Sequence, residues 1–276
     1  MFELASRLRH GPLRRALPWT AAGRFFRAVQ RRTGVPSHVR KRIGSYGPFR
    51  LDGRFAFSDF GNWGRGHNAA FLACIEACRG RQTFFDVGAH VGLVTLPASQ
   101  VLAPGGRVHA FEPGRDNGLF LRRHIELNGI VNVTVIPSLV GDAARRDVAF
   151  FEQEGDSGLN TTAASVLRVD ATRSTREQIT LDNYCDANGA APDVIKIDVE
   201  GAEVAVLRGA AATLRRARPL IVLSVHPRHL LALNSSVAEL EQLLPSLGYR
   251  AKHPDGSVAE HLAFGEYLVT PVEASG

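Results

Sequence analysis

Five short runs of mostly apolar residues recur through the middle of the chain: TFFDV (83–87), RVHAFEP (107–113), NVTVIP (132–137), PDVIKIDV (192–199) and RPLIVLSVHP (218–227). They are rich in Val, Ile and Phe and too continuous for strands with one wet face, so they predict buried strands of a parallel sheet. Between them the apolar residues take helical spacing over 91–102, over 118–129 up to Asn128-Gly129, and over 203–217. Strands that alternate with helices predict an α/β fold, doubly wound around a mostly parallel sheet covered on both faces. A helix over 237–247 follows. YRAKH and EYLVTP, joined by Pro254-Asp255-Gly256, then predict a hairpin at the C-terminal end.

The alternation breaks between 147 and 181. DVAFFEQ, ASVLRV and REQITL read as three strands without intervening helices, joined by the polar loop EGDSGLNTT, which predicts a small antiparallel β insertion placed like a lid. The chain therefore divides into a basic N-terminal arm (1–50), a capping segment (51–82) and the α/β domain (83–276) that carries the insertion.

Charge changes this picture only at the N-terminal end. Residues 1–50 hold 12 of the 33 basic residues and one of the 27 acidic ones, a charge of +11, and the rest of the chain carries −5. Phe25, Phe26 and Val29 lie beside Arg24, Arg27, Arg31 and Arg32, which suits a short amphipathic helix on an anionic membrane surface. The alternatives are a solvated arm, or one packed on the acidic body of its own or a second subunit, which would favour a homo-oligomer. No run of about 18 apolar residues and no secretory h-region is present, so a cytoplasmic protein is expected. Three cysteines do not make a disulfide framework. Cys74 and Cys78 lack a second ligand pair for zinc and read as core residues.

The chemistry concentrates in FFDVGAHVGLVTL (84–96). Ligands of open α/β sheets bind beyond the carboxyl ends of strands, and the first strand-to-helix turn is the usual place. Gly88 lets the chain turn and Gly92 lets the helix start approach a ligand. His90 stands where a dinucleotide fold needs bare glycine, which argues against an NAD(P)-dependent oxidoreductase and for a cationic or zwitterionic ligand. Glu112, at the end of the second strand, sits where a carboxylate receives both hydroxyls of a ribose.

FFDVGAHVGLVTL, VHAFEP, ELNGIVNVTVIPSLVGD, TLDNY, DVIKIDVEGAEVAVLRGA and RPLIVLSVHP together resemble the FkbM-type family of S-adenosylmethionine-dependent methyltransferases over roughly 83–227. The resemblance implies a class I, Rossmann-like sheet of seven strands with the last antiparallel. It also implies S-adenosylmethionine as cofactor, S-adenosylhomocysteine as product, and O-methylation of a sugar, glycan or secondary-metabolite hydroxyl. On that reading Asp86, Gly88, Ala89, His90 and Gly92 hold the amino acid end of the cofactor, Glu112 and Pro113 its ribose, and Ser138 to Asp142 border the adenine, with Asp198 also in reach. A nucleic-acid methyltransferase using the basic arm is disfavoured, because Asp198-Val199-Glu200-Gly201 stands where base methylation uses a D/N-P-P-aromatic turn.

Methylation of an alcohol needs in-line placement and a path for the proton. Lys196 and Asp198 share one face of the fourth strand, Glu200 and Glu203 follow, and His226 ends the fifth. Two arrangements fit: His226 as general base with Asp198 orienting it or the acceptor, which is favoured, or a divalent ion on Asp198, Glu200 and His226. Glu203 is expected to cap its helix or pair with Lys196. Trp63, Arg65 and His67 before the first helix, Asn160 and Thr161 in the inserted loop, and His229 form the candidate acceptor wall.

Overall fold

The computed structural model describes residues 38–56, 58–61, 63–64, 70–152, 160, 162 and 171–272. The chain opens with β1 (His38–Ile43) and β2 (Tyr46–Asp52), an antiparallel pair, then a 3-10 turn (Gly53–Phe55) and α1 (Ala70–Cys78). The first half of the α/β domain runs β3 (Thr83–Val87), α2 (Thr95–Val101), β4 (Arg107–Phe111), α3 (Arg115–Leu127) and β5 (Val133–Ile136). The insertion contributes β6 (Leu139–Val140), β7 (Arg145–Glu152) and β8 (Thr172–Ile179), and α4 (Leu181–Asn188) leads out of it. The second half is β9 (Val194–Ile197), α5 (Glu203–Arg208), α6 (Ala211–Ala217), β10 (Leu220–Val225), α7 (Pro227–Ala232), α8 (Val237–Ser246), β11 (Tyr249–Lys252) and β12 (Gly265–Pro271).

Seven strands form the main sheet in the order β11-β12-β10-β9-β3-β4-β5, and β12 alone runs antiparallel to its neighbours. The apolar runs predicted its doubly wound, mostly parallel character, and the seven strands with one antiparallel strand are those of the class I methyltransferase sheet that the resemblance implied. Because successive side chains alternate across a strand, the sheet builds two cores. Phe85, Val87, Ile195, Ile197, Ile221 and Leu223 face α4, α5, α6 and α8, whereas Phe84, Val108, Val194 and Val222 face α1, α2 and the β1–β2 hairpin. Each such large side chain contributes about 1.5–3 kcal/mol on leaving water.

Several elements differ from the sequence expectation. Residues 38–50, read as the end of a basic arm, are folded: Val39, Lys41 and Ile43 point inward and Lys41 donates to the Ala56 carbonyl at 2.7 Å. Asn128 pins this hairpin to α3, accepting from Arg50 N at 2.9 Å and donating to its carbonyl at 2.8 Å. The single helix expected over 203–217 breaks in two at Gly209, whose carbonyl accepts from Asp182 N at 3.0 Å; a Cβ there would lie 1.9 Å from the Gly141 carbonyl oxygen, so the position needs glycine. REQITL ends as a strand at Ile179; Thr180 accepts from Asn183 N at 3.0 Å and starts α4. Pro227 likewise starts α7 from its first turn.

In the insertion, β7 and β8 pair antiparallel and β6 joins β8 in parallel. The expected strand ASVLRV lies outside the described residues, as do 1–37 with the proposed membrane contact, Arg65, His67 and Thr161. Cys74 and Cys78 are buried and free on α1. Among the described residues no helix is long and apolar enough to cross a membrane.

Candidate active site

A crevice of about 420 Å³ opens along the carboxyl ends of β5, β4, β3, β9 and β10. Its floor is the Gly88 turn. Gly88 has φ +81°, and a Cβ there would lie 1.9 Å from the Asp198 carbonyl oxygen, so glycine is required by the close approach of the chains leaving β3 and β9. Gly92 answers to a different demand: its φ of +95° is a left-handed conformation that favours glycine, a Cβ there would also press on Leu121 Cδ1 of α3 at 2.8 Å, and the residue does not line the crevice. Gly92, expected among the cofactor residues, thus serves the turn rather than the crevice wall.

At the β4 end, Glu112 is 5% exposed and accepts two backbone hydrogen bonds, from His90 N at 2.7 Å and Gly114 N at 2.8 Å. His90 takes φ +52°, and this left-handed turn aims its N–H at the carboxylate. Burial pushes the Glu112 carboxyl up to about 7, against the lowering effect of these donors and of Asn117. Ala89, His90, Pro113, Ser138 and Asn160 line the same region. Asn160, expected in the acceptor wall, stands instead beside the Glu112 loop, since a Cβ on Gly114 would lie 2.8 Å from its Nδ2 and 2.6 Å from Glu112 Oε1. The insertion docks on that loop as well: Arg176 Nε donates to the Pro113 carbonyl at 2.5 Å, and Arg115 N donates to Glu152 at 2.6 Å.

Asp86 and Asp142 do not line the crevice. Asp86 is fully buried beneath it, accepting from Thr95 Oγ1 at 2.6 Å and facing Lys196 Nζ at 3.2 Å. Asp142 pairs with Arg145 at 3.0 Å. Lys196 reaches the Gly88 carbonyl at 3.0 Å and Asp198 at 3.6 Å. Burial opposes its charge, but Asp86 and Asp198 more than compensate and hold its pKa above the usual lysine range. Of the two roles expected for Glu203, the pair with Lys196 does not form, and Lys196 instead links side chains at the ends of the paired strands β3 and β9.

At the β9–β10 end, Asp198, Glu200 and His226 converge despite the short spacing of the first two. Glu200 adopts φ +51° and Gly201 φ +108°, which folds the chain back so that both carboxylates face His226. His226 Nε2 lies 3.7 Å from Asp198 Oδ1 and 3.7 Å from Glu200 Oε1. Its Nδ1 is 2.7 Å from Oε1 of the fully buried Glu203, which also accepts from Gly201 N at 3.1 Å. Glu203, not Asp198, orients this imidazole. Burial works against a charged His226, but the Glu203 hydrogen bond and the charges of Glu200 and Asp198 raise its pKa to about 9.

His229 Nδ1 sits 2.6 Å from Glu200 Oε2, its ring stacked 5.8 Å from that of His226. Trp63 lines the crevice, its ring edge-on to Phe71 at 6.1 Å. Several wall residues escaped the sequence reading, among them Asn117 beside Glu112 and two from the C-terminal end of the chain. Phe264 is 65% exposed with its ring 5.9 Å from His226. Glu266 of β12 accepts from Ala70 N at 2.8 Å, and burial raises its carboxyl to about 7. An aromatic and an acid in the last hairpin carried no local signal of membership in a site built from strands near residue 90.

The methyltransferase FkbM domain model matches residues 86–251. Among solved structures, a methyltransferase FkbM from Methylobacillus flagellatus is 18% identical, with 90% of this chain and 70% of that one covered and a TM-score of 0.42. A precorrin-6y C5,15-methyltransferase from Geobacter metallireducens is 16% identical over 75% of this chain and 89% of its own, with a TM-score of 0.39. An rRNA methylase from Streptococcus thermophilus is 11% identical over 76% of this chain and 98% of its own, with a TM-score of 0.45. Curated proteins yield no match.

Proposed function

The chain belongs to the FkbM family of methyltransferases, and from that premise we propose that it is an O-methyltransferase using S-adenosylmethionine and acting on a hydroxyl of a sugar, glycan or secondary metabolite. The observation that carries the cofactor assignment is Glu112: a buried carboxylate, steadied by two backbone donors, in the wall of a cavity large enough for a nucleoside. A carboxylate so placed accepts from both hydroxyls of a ribose.

Glu112 and Asn117 would hold the ribose, Ser138 and Leu139 border the base, and the turn 88–90 take the amino acid end. β4 and β10 are separated by β3 and β9, so the ribose carboxylate and His226 stand roughly 14 Å apart at the strand spacing of about 4.8 Å. That separation puts the cluster of Asp198, Glu200 and His226 at the opposite end of the crevice from the ribose, where an acceptor would enter past Trp63, His229 and Phe264. Bound S-adenosylmethionine supplies an electrophilic methyl group on sulfur. The chain's own task is to present an acceptor hydroxyl in line with it and to receive the hydroxyl proton within the carboxylate–histidine cluster. The methyl group would pass to the acceptor oxygen, leaving S-adenosylhomocysteine as the product.

The polar, one-sided aromatic wall around Phe264 suits a ring that offers both hydroxyls and an apolar face. The test is incubation of the protein with isotopically labelled methyl donor and a pool of glycosides and hydroxylated metabolites, read by mass spectrometry. Label appearing on a hydroxyl oxygen is the expected result. Label only on nitrogen or carbon, or failure to bind S-adenosylhomocysteine, would overturn it.

A further inference from the structure

Three side chains at the β9–β10 end share an arrangement that methyl transfer alone does not require. Each has one heteroatom engaged by a neighbour: Asp198 Oδ2 by Lys196 at 3.6 Å, Glu200 Oε2 by His229 at 2.6 Å, and His226 Nδ1 by the buried Glu203 at 2.7 Å. The other nitrogen of the imidazole, His226 Nε2, lies 3.7 Å from the other oxygen of each carboxylate, Asp198 Oδ1 and Glu200 Oε1, and the three residues each offer a ligand atom within 4.8 Å of the others'.

The distances discriminate between possible occupants of the site. His226 Nε2 stands 3.7 Å from each carboxylate oxygen, beyond the reach of a useful N–H···O bond. Donor atoms about 3–3.7 Å apart are what an ion with ligand distances of about 2.0–2.3 Å requires. A carboxylate that fixes the far nitrogen of a histidine is also the usual outer partner of a metal-bound imidazole, because it selects the tautomer whose lone pair faces the metal. Glu203 does this from full burial, and its carboxylate is itself held by Gly201 N at 3.1 Å.

We propose that Asp198, Glu200 and His226 form a binding site for one first-row divalent cation of the Mn²⁺ or Zn²⁺ class, with open positions facing the crevice. Two carboxylate oxygens with one imidazole nitrogen favour such ions over Mg²⁺ or Ca²⁺, which take oxygen ligands alone. The open positions fall where the acceptor hydroxyl enters, so the inference rests on the functional reading above and deepens it: the ion would take that hydroxyl as a further ligand. Lys196 and His229 then act as positioning residues for the two carboxylates.

The experiment uses the full chain, free of any affinity tag and stripped with a chelator, titrated calorimetrically with Mn²⁺ and separately with Zn²⁺, and with S-adenosylhomocysteine in parallel. One saturable metal site is expected. Binding should weaken at least ~10-fold in Asp198→Asn and in Glu200→Gln, and about 10–100-fold in Glu203→Gln, which touches no ion. Pulsed electron paramagnetic resonance of the Mn²⁺-loaded wild type should report one imidazole nitrogen, absent in His226→Gln; this reading stands even if a carboxylate variant fails to fold. The proposal falls if no metal binds below ~1 mM, if binding is unchanged in folded Asp198→Asn and Glu200→Gln, or if no nitrogen coupling is seen. S-adenosylhomocysteine binding without metal binding sinks the ion alone, whereas loss of the former sinks the functional reading beneath it.

Discussion

Replacing Glu112 with Gln separates a carboxylate kept for a ligand from one kept for the fold. In the structure each Glu112 oxygen accepts from a different backbone N–H, His90 at 2.7 Å and Gly114 at 2.8 Å. An amide of the same shape offers one acceptor and one donor, so one N–H loses its partner, at about 1.5–3 kcal/mol. Against this, burial raises the carboxyl to about 7, so at pH 8 the wild type is largely ionised and the folded state bears about 3 kcal/mol for that charge, which the neutral amide avoids. The two effects nearly cancel, and the ligand-free melting temperature at pH 8 should move by only a few degrees. Ribose recognition has no such compensation. The amide can accept from one hydroxyl where the carboxylate accepts from two with full charge, so S-adenosylhomocysteine should bind about 10²-fold more weakly, near 3 kcal/mol. Calorimetric titration and thermal unfolding of the same two preparations measure both quantities. Unchanged affinity, with stability lower by several kcal/mol, would show Glu112 to be a structural capping group and refute the reasoning.

The pH dependence of wild type follows with opposite signs for fold and ligand. Because the folded pKa of Glu112 lies above its unfolded value, its stabilising contribution is complete below about 4.5 and is lost as pH rises through about 7. S-adenosylhomocysteine, which needs the ionised carboxylate, should weaken as pH falls below about 7, and the slope should vanish in Glu112→Gln. Gly88→Ala places a methyl 1.9 Å from the Asp198 carbonyl at φ +81°, so a loss above about 3 kcal/mol is expected in urea unfolding, and wild-type stability would refute the close approach. Lys196→Met leaves Asp86 buried with Thr95 as its remaining close partner and should cost about 3–5 kcal/mol by the same measurement; a change below 1 kcal/mol would show that the tie between β3 and β9 is dispensable.

The strands of the main sheet could be read from the chain because burial on both faces writes the same signal at every position: TFFDV and LIVLSV have no wet side to alternate with. The glycine turn and the strand-end Glu112 were readable for a similar reason, since turn chemistry is local. The sequence alone also misled where one cause imitates another. Gly92 reads as a residue cleared for a ligand, and its glycine is favoured instead by a left-handed backbone, φ +95°, at the turn into α2. HVRKRI reads as part of a charged arm because Lys41 occupies an inward position between Val39 and Ile43, yet the strand satisfies that lysine on the Ala56 carbonyl.

What the chain determines by itself is the order of strands and helices, the α/β class and the residues that stand at strand ends. What only the tertiary structure decides is which of those ends face one another. Glu203 meets His226 across 23 residues, Phe264 and Glu266 arrive just before and on an antiparallel strand from the far end of the chain, and Glu200 turns into the cluster through a left-handed backbone. Periodicity and turn propensity act over a few residues and leave their mark in composition. Contacts of that range depend on sheet order and on the path of single loop residues, for which no local pattern of polar and apolar positions exists.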